Sequence, residues 1–179
     1  FEKAAKKRTD QGDFWWELRA CDYYDEFEKE KIIYPNICKR PEFTLDDQSK
    51  FTNQKCFIVT GSNLGYLTAF FNSKIFRFAF KEYFPELLGD TRELSKVFFE
   101  TVTVKEITEE DNQYFENLVN VVQEMKAKGV DTRLQEQEIE ERLALHYSLT
   151  EADLLLINSA DSGALPTDSK IIERSANVS

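Results

Sequence analysis

Two prolines constrain this chain more than any other residues. They interrupt the run Lys31-Ile-Ile-Tyr-Pro-Asn-Ile-Cys-Lys-Arg-Pro-Glu-Phe43. Ile32, Ile33 and Tyr34 are apolar β-formers. Pro35 has no N–H to give to a ladder, so the strand is an edge there or bends. Ile37 resumes the run. Lys39 and Arg40 then stand directly before Pro41, which fixes a backbone angle and biases Arg40 away from helix. Two long cations on stiff backbone beside a buried strand suit contact with a polyanion. The same residues also suit an ordinary charged surface turn.

A chain of 179 residues is long enough for one full core with a helical appendage. Its longest apolar runs fall far short of the ~20 residues a membrane span needs, so no membrane partner is expected. It begins at Phe1 without a signal-peptide pattern and reads as a piece of a longer polypeptide. Cys21, Cys38 and Cys56 are odd in number and match no metal-ligand spacing, which points to reduced thiols in the cytosol.

The net charge of −10 argues against nucleic acid until its distribution is considered. Residues 1–105 hold 17 Lys/Arg and 17 Asp/Glu and balance, whereas residues 106–154 hold 4 against 13. The acid therefore lies in one C-terminal segment. A neutral domain can still present a basic face, with the acidic neighbour turned away from phosphates.

The basic cluster Lys6, Lys7, Arg8 precedes Phe14-Trp15-Trp16-Glu17-Leu18-Arg19. Adjacent Trp side chains on a strand cannot both face inward, so one is expected in the core and the other on a surface or partner. Residues 42–50 read as a strand and a turn built on Asp46-Asp47-Gln48-Ser49, and 51–60 as another strand around Cys56-Phe57-Ile58-Val59. Gly61 stops it, and Ser62 or Asn63 can cap the next helix. Leu64, Leu67, Phe70, Phe71, Lys74/Ile75 and Phe78 recur at helical spacing over about 64–83, so one face is expected to be buried, with Asn72 and Ser73 inside as a close-packing site. Pro85 ends that helix, and Leu88-Gly89-Asp90 turns the chain. Thr101-Val102-Thr103-Val104 is strongly β-forming. From Thr108 the period is helical again, with Phe115, Leu118, Val119, Val122 and Met125 on one face and Gly129 at its end. A further helix over 132–146 turns Leu134, Ile139 and Leu143 inward, antiparallel to the previous one. Thr150-Glu151-Ala152-Asp153 resembles a capping box. The expected fold is α+β: a mixed sheet core with a packed central helix (about 64–83), then a C-terminal helical hairpin. The expected divisions are 1–105, 106–158 and a tail, 159–179.

No catalytic or metal site is expected. His146, the single histidine, lacks an evident carboxylate or nucleophile partner, and no phosphate loop, dinucleotide fingerprint or nucleophile elbow is present. Glu124-Met-Lys126 and Asp168-Ser-Lys170 echo a nuclease spacing, without the flanking strands and second acid that a metal site requires.

Trp15-Trp16-Glu17-Leu18-Arg19, the Lys31–Ile37 run and Arg40-Pro-Glu-Phe43 together resemble the TaqI-like C-terminal specificity domain of adenine-specific DNA methyltransferases. That domain is found in type IIG restriction-modification enzymes and in related phage-defence methyltransferases. Tyr66-Leu67-Thr-Ala-Phe-Phe-Asn72-Ser73-Lys74 is similar to the family's helix ending in Asn-Ser-Lys. Leu94-Ser95-Lys96 is similar to the segment after its variable loop, and Glu138–Leu143 and Tyr147–Asp153 to its closing helices. Where the family usually has Gly after that Tyr, this chain has Ser148.

The resemblance implies a module that reads a short duplex, in the cytoplasm of a prokaryote, and neither methylates nor cleaves. The catalytic Asn-Pro-Pro-Tyr/Phe motif and the S-adenosylmethionine site belong to an upstream methyltransferase or nuclease domain of the same polypeptide. That cofactor, with Mg2+ as a further candidate, is expected of the parent enzyme and not of this fragment. Phosphate contacts set register and base-edge contacts specify sequence. Charge and placement make Lys31, Lys39, Arg40, Lys50, Asn53, Gln54, Lys55, Ser62, Asn63, Arg92 and Lys96 the candidate DNA contacts. Ser62 and Asn63 are included as a helix N-terminus suited to phosphate. A docking module, placing aromatics and acidic helices against a partner, is the alternative.

Overall fold

The Lys31 run folds as strand β1 (Lys31–Pro35), in the middle of a three-stranded antiparallel sheet. The computed structural model of the chain describes residues 2–7, 11–17, 23–89 and 91–161. Arg8, Leu18, Arg19, Cys21, Asp90, Asp168 and Lys170 lie outside the described residues, as does the tail from 162 onward. A short helix, α1 (Glu2–Ala5), opens the described chain. The neighbours of β1 are β3 (Thr44–Asp46) and β4 (Cys56–Val59). The register with β3 runs Lys31↔Asp46 to Ile33↔Thr44, so β3 stops two residues short of Pro35. Pro35 is thus unpaired on that side, as its missing N–H requires, and still lies opposite Cys56 on the other. The chain then bends, and β2 (Ile37–Cys38) pairs antiparallel with β5 (Arg92–Glu93) as a separate two-stranded sheet.

The helix expected over 64–83 is two: α2 (Leu64–Asn72) and α3 (Lys74–Tyr83). Ser73 separates them in an extended conformation, φ −73° and ψ 163°. Its buried hydroxyl donates to the Phe70 carbonyl at 2.6 Å and accepts the Phe76 N–H at 3.2 Å. A serine able to bond both flanking turns competes with the helical ladder and starts a new helix as its N-cap. Asn63 occupies the N-cap position of α2 but makes no side-chain cap. Asn112, from a helix far along the chain, instead accepts the Tyr66 N–H at 3.1 Å.

After a short helix α4 (Lys96–Phe99), residues 101–104 form no strand. Their β propensity finds no neighbouring edge, and a strand without a partner gains nothing from it. The two long helices are α5 (Glu109–Ala127) and α6 (Arg133–His146). Thr108 caps α5 by accepting the Asp111 N–H, and Gly129 closes it at φ +68°, with the Val130 N–H reaching back to the Met125 carbonyl. Leu134 sits at the first turn of α6, beyond the reach of the core, and is 78% exposed, contrary to its expected inward position. Ser148 takes the left-handed conformation, φ +55°, after α6, a conformation that glycine adopts more readily. Helix α7 (Glu151–Asp161) follows, with Thr150 and Asp153 exchanging bonds across its start.

One aromatic cluster joins these elements. Phe43 lies 5.3 Å from Tyr34, 4.9 Å from Phe71 and 5.8 Å from Phe76, centroid to centroid. The core runs without interruption from Ile32 of β1 to Phe115, Val119 and Val122 of α5 and Leu143 of α6. Neither tryptophan belongs to it, so the expectation that one would is not met. Trp16 is 60% exposed and stacks on Phe14 at 4.8 Å, while Lys6 lies over the half-buried Trp15.

Candidate nucleic-acid interface

Asn36, the residue between β1 and β2, gathers one end of the sheet. Its N–H donates to the Lys55 carbonyl at 2.9 Å, and its carbonyl accepts the Leu94 N–H at 2.8 Å. One peptide position therefore ties the turn before β4 to the segment that carries β5. In that turn Asn53 accepts the Lys55 N–H on its side-chain oxygen at 2.9 Å, a local bond typical of Asn in turns. The β2–β5 register adds Cys38↔Arg92, and Lys39 and Arg40 leave β2 at this same end.

The candidate residues thus fall into two groups. Lys39, Arg40, Asn53, Gln54, Lys55, Arg92 and Lys96 collect at the Pro35 end of β1. Lys50, Ser62 and Asn63 collect at the Lys31 end, about 13 Å away at the usual strand rise. Within the first group Lys39 and Arg40 are exposed, and among the described residues neither makes an ion pair or a side-chain hydrogen bond. Pro41 behind them is buried, which anchors the segment and leaves the two cations outward. Arg92 turns inward: its guanidinium donates to the Phe84 carbonyl at 2.6 Å and lies 3.8 Å from Glu86. Lys96 is exposed, 3.5 Å from Glu100. In the second group Lys50 lies 3.3 Å from Asp46, and Ser62 is exposed.

Lys31 stands apart from both groups. It is 0% exposed, and its ammonium reaches Asp46 at 2.6 Å, the Phe27 carbonyl at 2.6 Å and the Lys29 carbonyl at 3.3 Å. Its donors are used inside the fold, so it is a structural cation and offers nothing to a phosphate here. Burial pushes the Asp46 carboxyl up, but Lys31 and Lys50 outweigh it and hold the carboxyl below its usual range.

Beside Arg40 opens a cleft of about 940 Å³ between the 40–44 segment, the α2–α3 junction and helices α5 and α6. Lys74, Arg77, Lys126 and Arg133 add cations to its lining, and Glu136 and Glu140 add acids. Lys126 is paired with Glu136 at 2.7 Å, and the Glu140 carboxylate accepts the Lys74 N–H at 2.8 Å. Sequence reasoning missed these residues because the cleft exists only once α5 and α6 pack against α2. The one local signal was Lys74 and Arg77, three apart on the polar side of a helix.

The described residues contain no cluster of three or more His, Cys, Asp or Glu able to hold a metal. His146 packs edge-on against Tyr66, with ring centroids 5.5 Å apart. Burial and the nearby Glu42 push the Cys38 thiol up to about 11, so it stays protonated and unreactive at neutral pH. No helix among the described residues is long and apolar enough to cross a membrane.

A family model described as the TaqI-like C-terminal specificity domain matches residues 2–102. The match runs from α1 to just past α4 and covers the whole Pro35 end of the sheet. No curated protein matches the chain.

Proposed function

Because the chain belongs to the family of TaqI-like C-terminal specificity domains, we propose that it binds duplex DNA and reads the target of a restriction-modification enzyme. A specificity domain is not itself catalytic. The parent polypeptide is proposed to be an adenine-specific DNA methyltransferase, with or without nuclease activity, that uses S-adenosylmethionine in an upstream domain.

What supports this reading in the structure is the pair Lys39–Arg40. Both cations are exposed, held by buried Pro41, and share one end of the sheet with Lys55 and Lys96. With the backbone already fixed, only the side chains need ordering to contact phosphates or base edges, and the planar fork of Arg suits the two acceptors of guanine. The exposed aromatics Phe14, Trp16, Tyr23, Tyr24 and Phe51 favour a second role, docking onto the parent's other domains, which is compatible with the first.

Fluorescence anisotropy of the 179-residue chain with short duplexes, over a salt series, tests the reading. The logarithm of affinity is expected to fall linearly with log salt, by about 0.9 for each phosphate neutralised. Arg40→Ala is expected to weaken binding about tenfold, within the ~1–3 kcal/mol of a lost base contact. Lys39→Ala is expected to weaken it about equally on all sequences and to lower the salt slope by about 1. No binding by the unmutated chain at low salt would overturn the proposal.

A further inference from the structure

We propose that Gln123, on α5, is a positioning residue for the Lys39–Arg40 segment, which it serves by holding the free edge of β3. The inference rests on the DNA-contact reading above.

Among the described residues, strand β3 has no strand on its outer side. Leu45 in the strand and Phe43 just before it are closed by side-chain amides instead. The Gln123 side-chain oxygen accepts the Leu45 N–H at 2.8 Å, and its NH2 donates to the Leu45 carbonyl at 3.1 Å. Asn72 does the same at Phe43, accepting its N–H at 3.0 Å and donating to its carbonyl at 2.8 Å. A primary amide carries one acceptor and one donor group in a plane, so it can replace the neighbouring strand that an edge residue lacks. A slip of β3 by one residue would break all four bonds at once. Only the buried Pro41 and the exposed Glu42 separate Phe43 from Arg40. The clamp on the edge thus sets where the Arg40 backbone emerges.

Gln123 can act as a clamp because α5 is itself fixed against α2. Asn112 of α5 takes the Tyr66 N–H, and Gly65 of α2 lies against the Glu116 backbone. Residue 123 lies outside the residues matched by the family model, so on this inference the C-terminal helices shape the recognition face through β3.

A double-mutant cycle on duplex binding tests this. It combines Gln123→Ala with Lys39→Ala/Arg40→Ala, at a temperature where circular dichroism shows every variant folded. Gln123→Ala is expected to weaken binding about fivefold and to lower the salt slope by about 0.9. Added to the Lys39→Ala/Arg40→Ala background, it is expected to cost less than about twofold more, since contacts that are already absent cannot be mispositioned. Gln123→Glu keeps the acceptor and the shape, and is expected to recover part of the affinity. It also carries the test if Gln123→Ala does not fold. Unchanged binding by both Gln123 variants, or effects that multiply across the cycle, would overturn the inference and leave the DNA-binding reading intact. Failure of the unmutated chain to bind DNA would overturn that reading and this inference with it.

Discussion

Lys31→Met is expected to cost about 3–5 kcal/mol of folding stability, because it leaves a buried carboxylate without its main partner. Lys31 and Asp46 face each other across β1 and β3, at 0% and 1% exposure. The loss is a large share of the ~5–15 kcal/mol that separates folded from unfolded chains. Urea unfolding of both proteins measures it. The double substitution Lys31→Met/Asp46→Leu is expected to recover most of the loss, since a well-packed apolar pair can replace a buried ion pair. A single variant within about 1 kcal/mol of the original, or a double variant worse than the single, would show that the pair does not carry this stability. The linkage to pH has a definite sign. The folded carboxyl of Asp46 titrates below its unfolded value of about 3.9. Its stabilisation is therefore complete above about pH 4 and disappears as pH falls through the lower folded value. Burial, together with Glu116 and Asp47, raises Glu30, whose contribution runs the other way. Comparison with Asp46→Asn isolates the Asp46 share.

Gly65→Ala is expected to destabilise the fold as well, for a steric reason. A Cβ at Gly65 would lie 2.5 Å from the Glu116 Cβ, 2.7 Å from its Cα and 2.8 Å from its backbone nitrogen. Backbone cannot swing aside as a side-chain tip can, so α2 and α5 must separate and the core between Tyr66 and Phe115 must loosen. Overpacking of this kind costs about 1–3 kcal/mol and occasionally more, against a gain of up to about 1 kcal/mol for replacing glycine inside a helix. A net loss of about 2 kcal/mol corresponds to a fall of about 4–8 °C in Tm for a chain of this size. A melt followed by far-ultraviolet circular dichroism checks it, and an unchanged or raised Tm would mean that the two helices have slack there.

The helical half of the fold was legible because its signals are local. Thr108, Gly129 and Thr150 mark ends that depend only on residues within one turn: α5 starts after Thr108 and closes before Gly129, and α7 starts after Thr150. Ser73 was not legible as a break. A serine inside an apolar period is common in helices, and only the paired bonds to Phe70 and Phe76 reveal its role. The β propensity of 101–104 misled because it describes fit to a partner that the topology never supplies. For the interface, Pro41 foretold that Lys39 and Arg40 would stand clear of the core. The burial of Lys31 could not be foretold, since it depends on Asp46 arriving opposite from 15 residues away. Gln123 lay further out of reach, because its partner is 78 residues distant in the chain.

The position of the two tryptophans changes how this chain must be watched. Both lie outside the aromatic cluster that holds the fold together, and Trp16 meets solvent over most of its surface. Indole emission thus reports the arm around residues 14–16 and is nearly blind to the core. A melt followed by that emission would record the release of the Phe14–Trp16 stack, while Tyr34 and Tyr66, buried at 4% and 1% exposure, would carry the main transition in the near-ultraviolet dichroism. Two probes that disagree would then be reporting two places in one molecule, and the disagreement would not by itself reveal a folding intermediate.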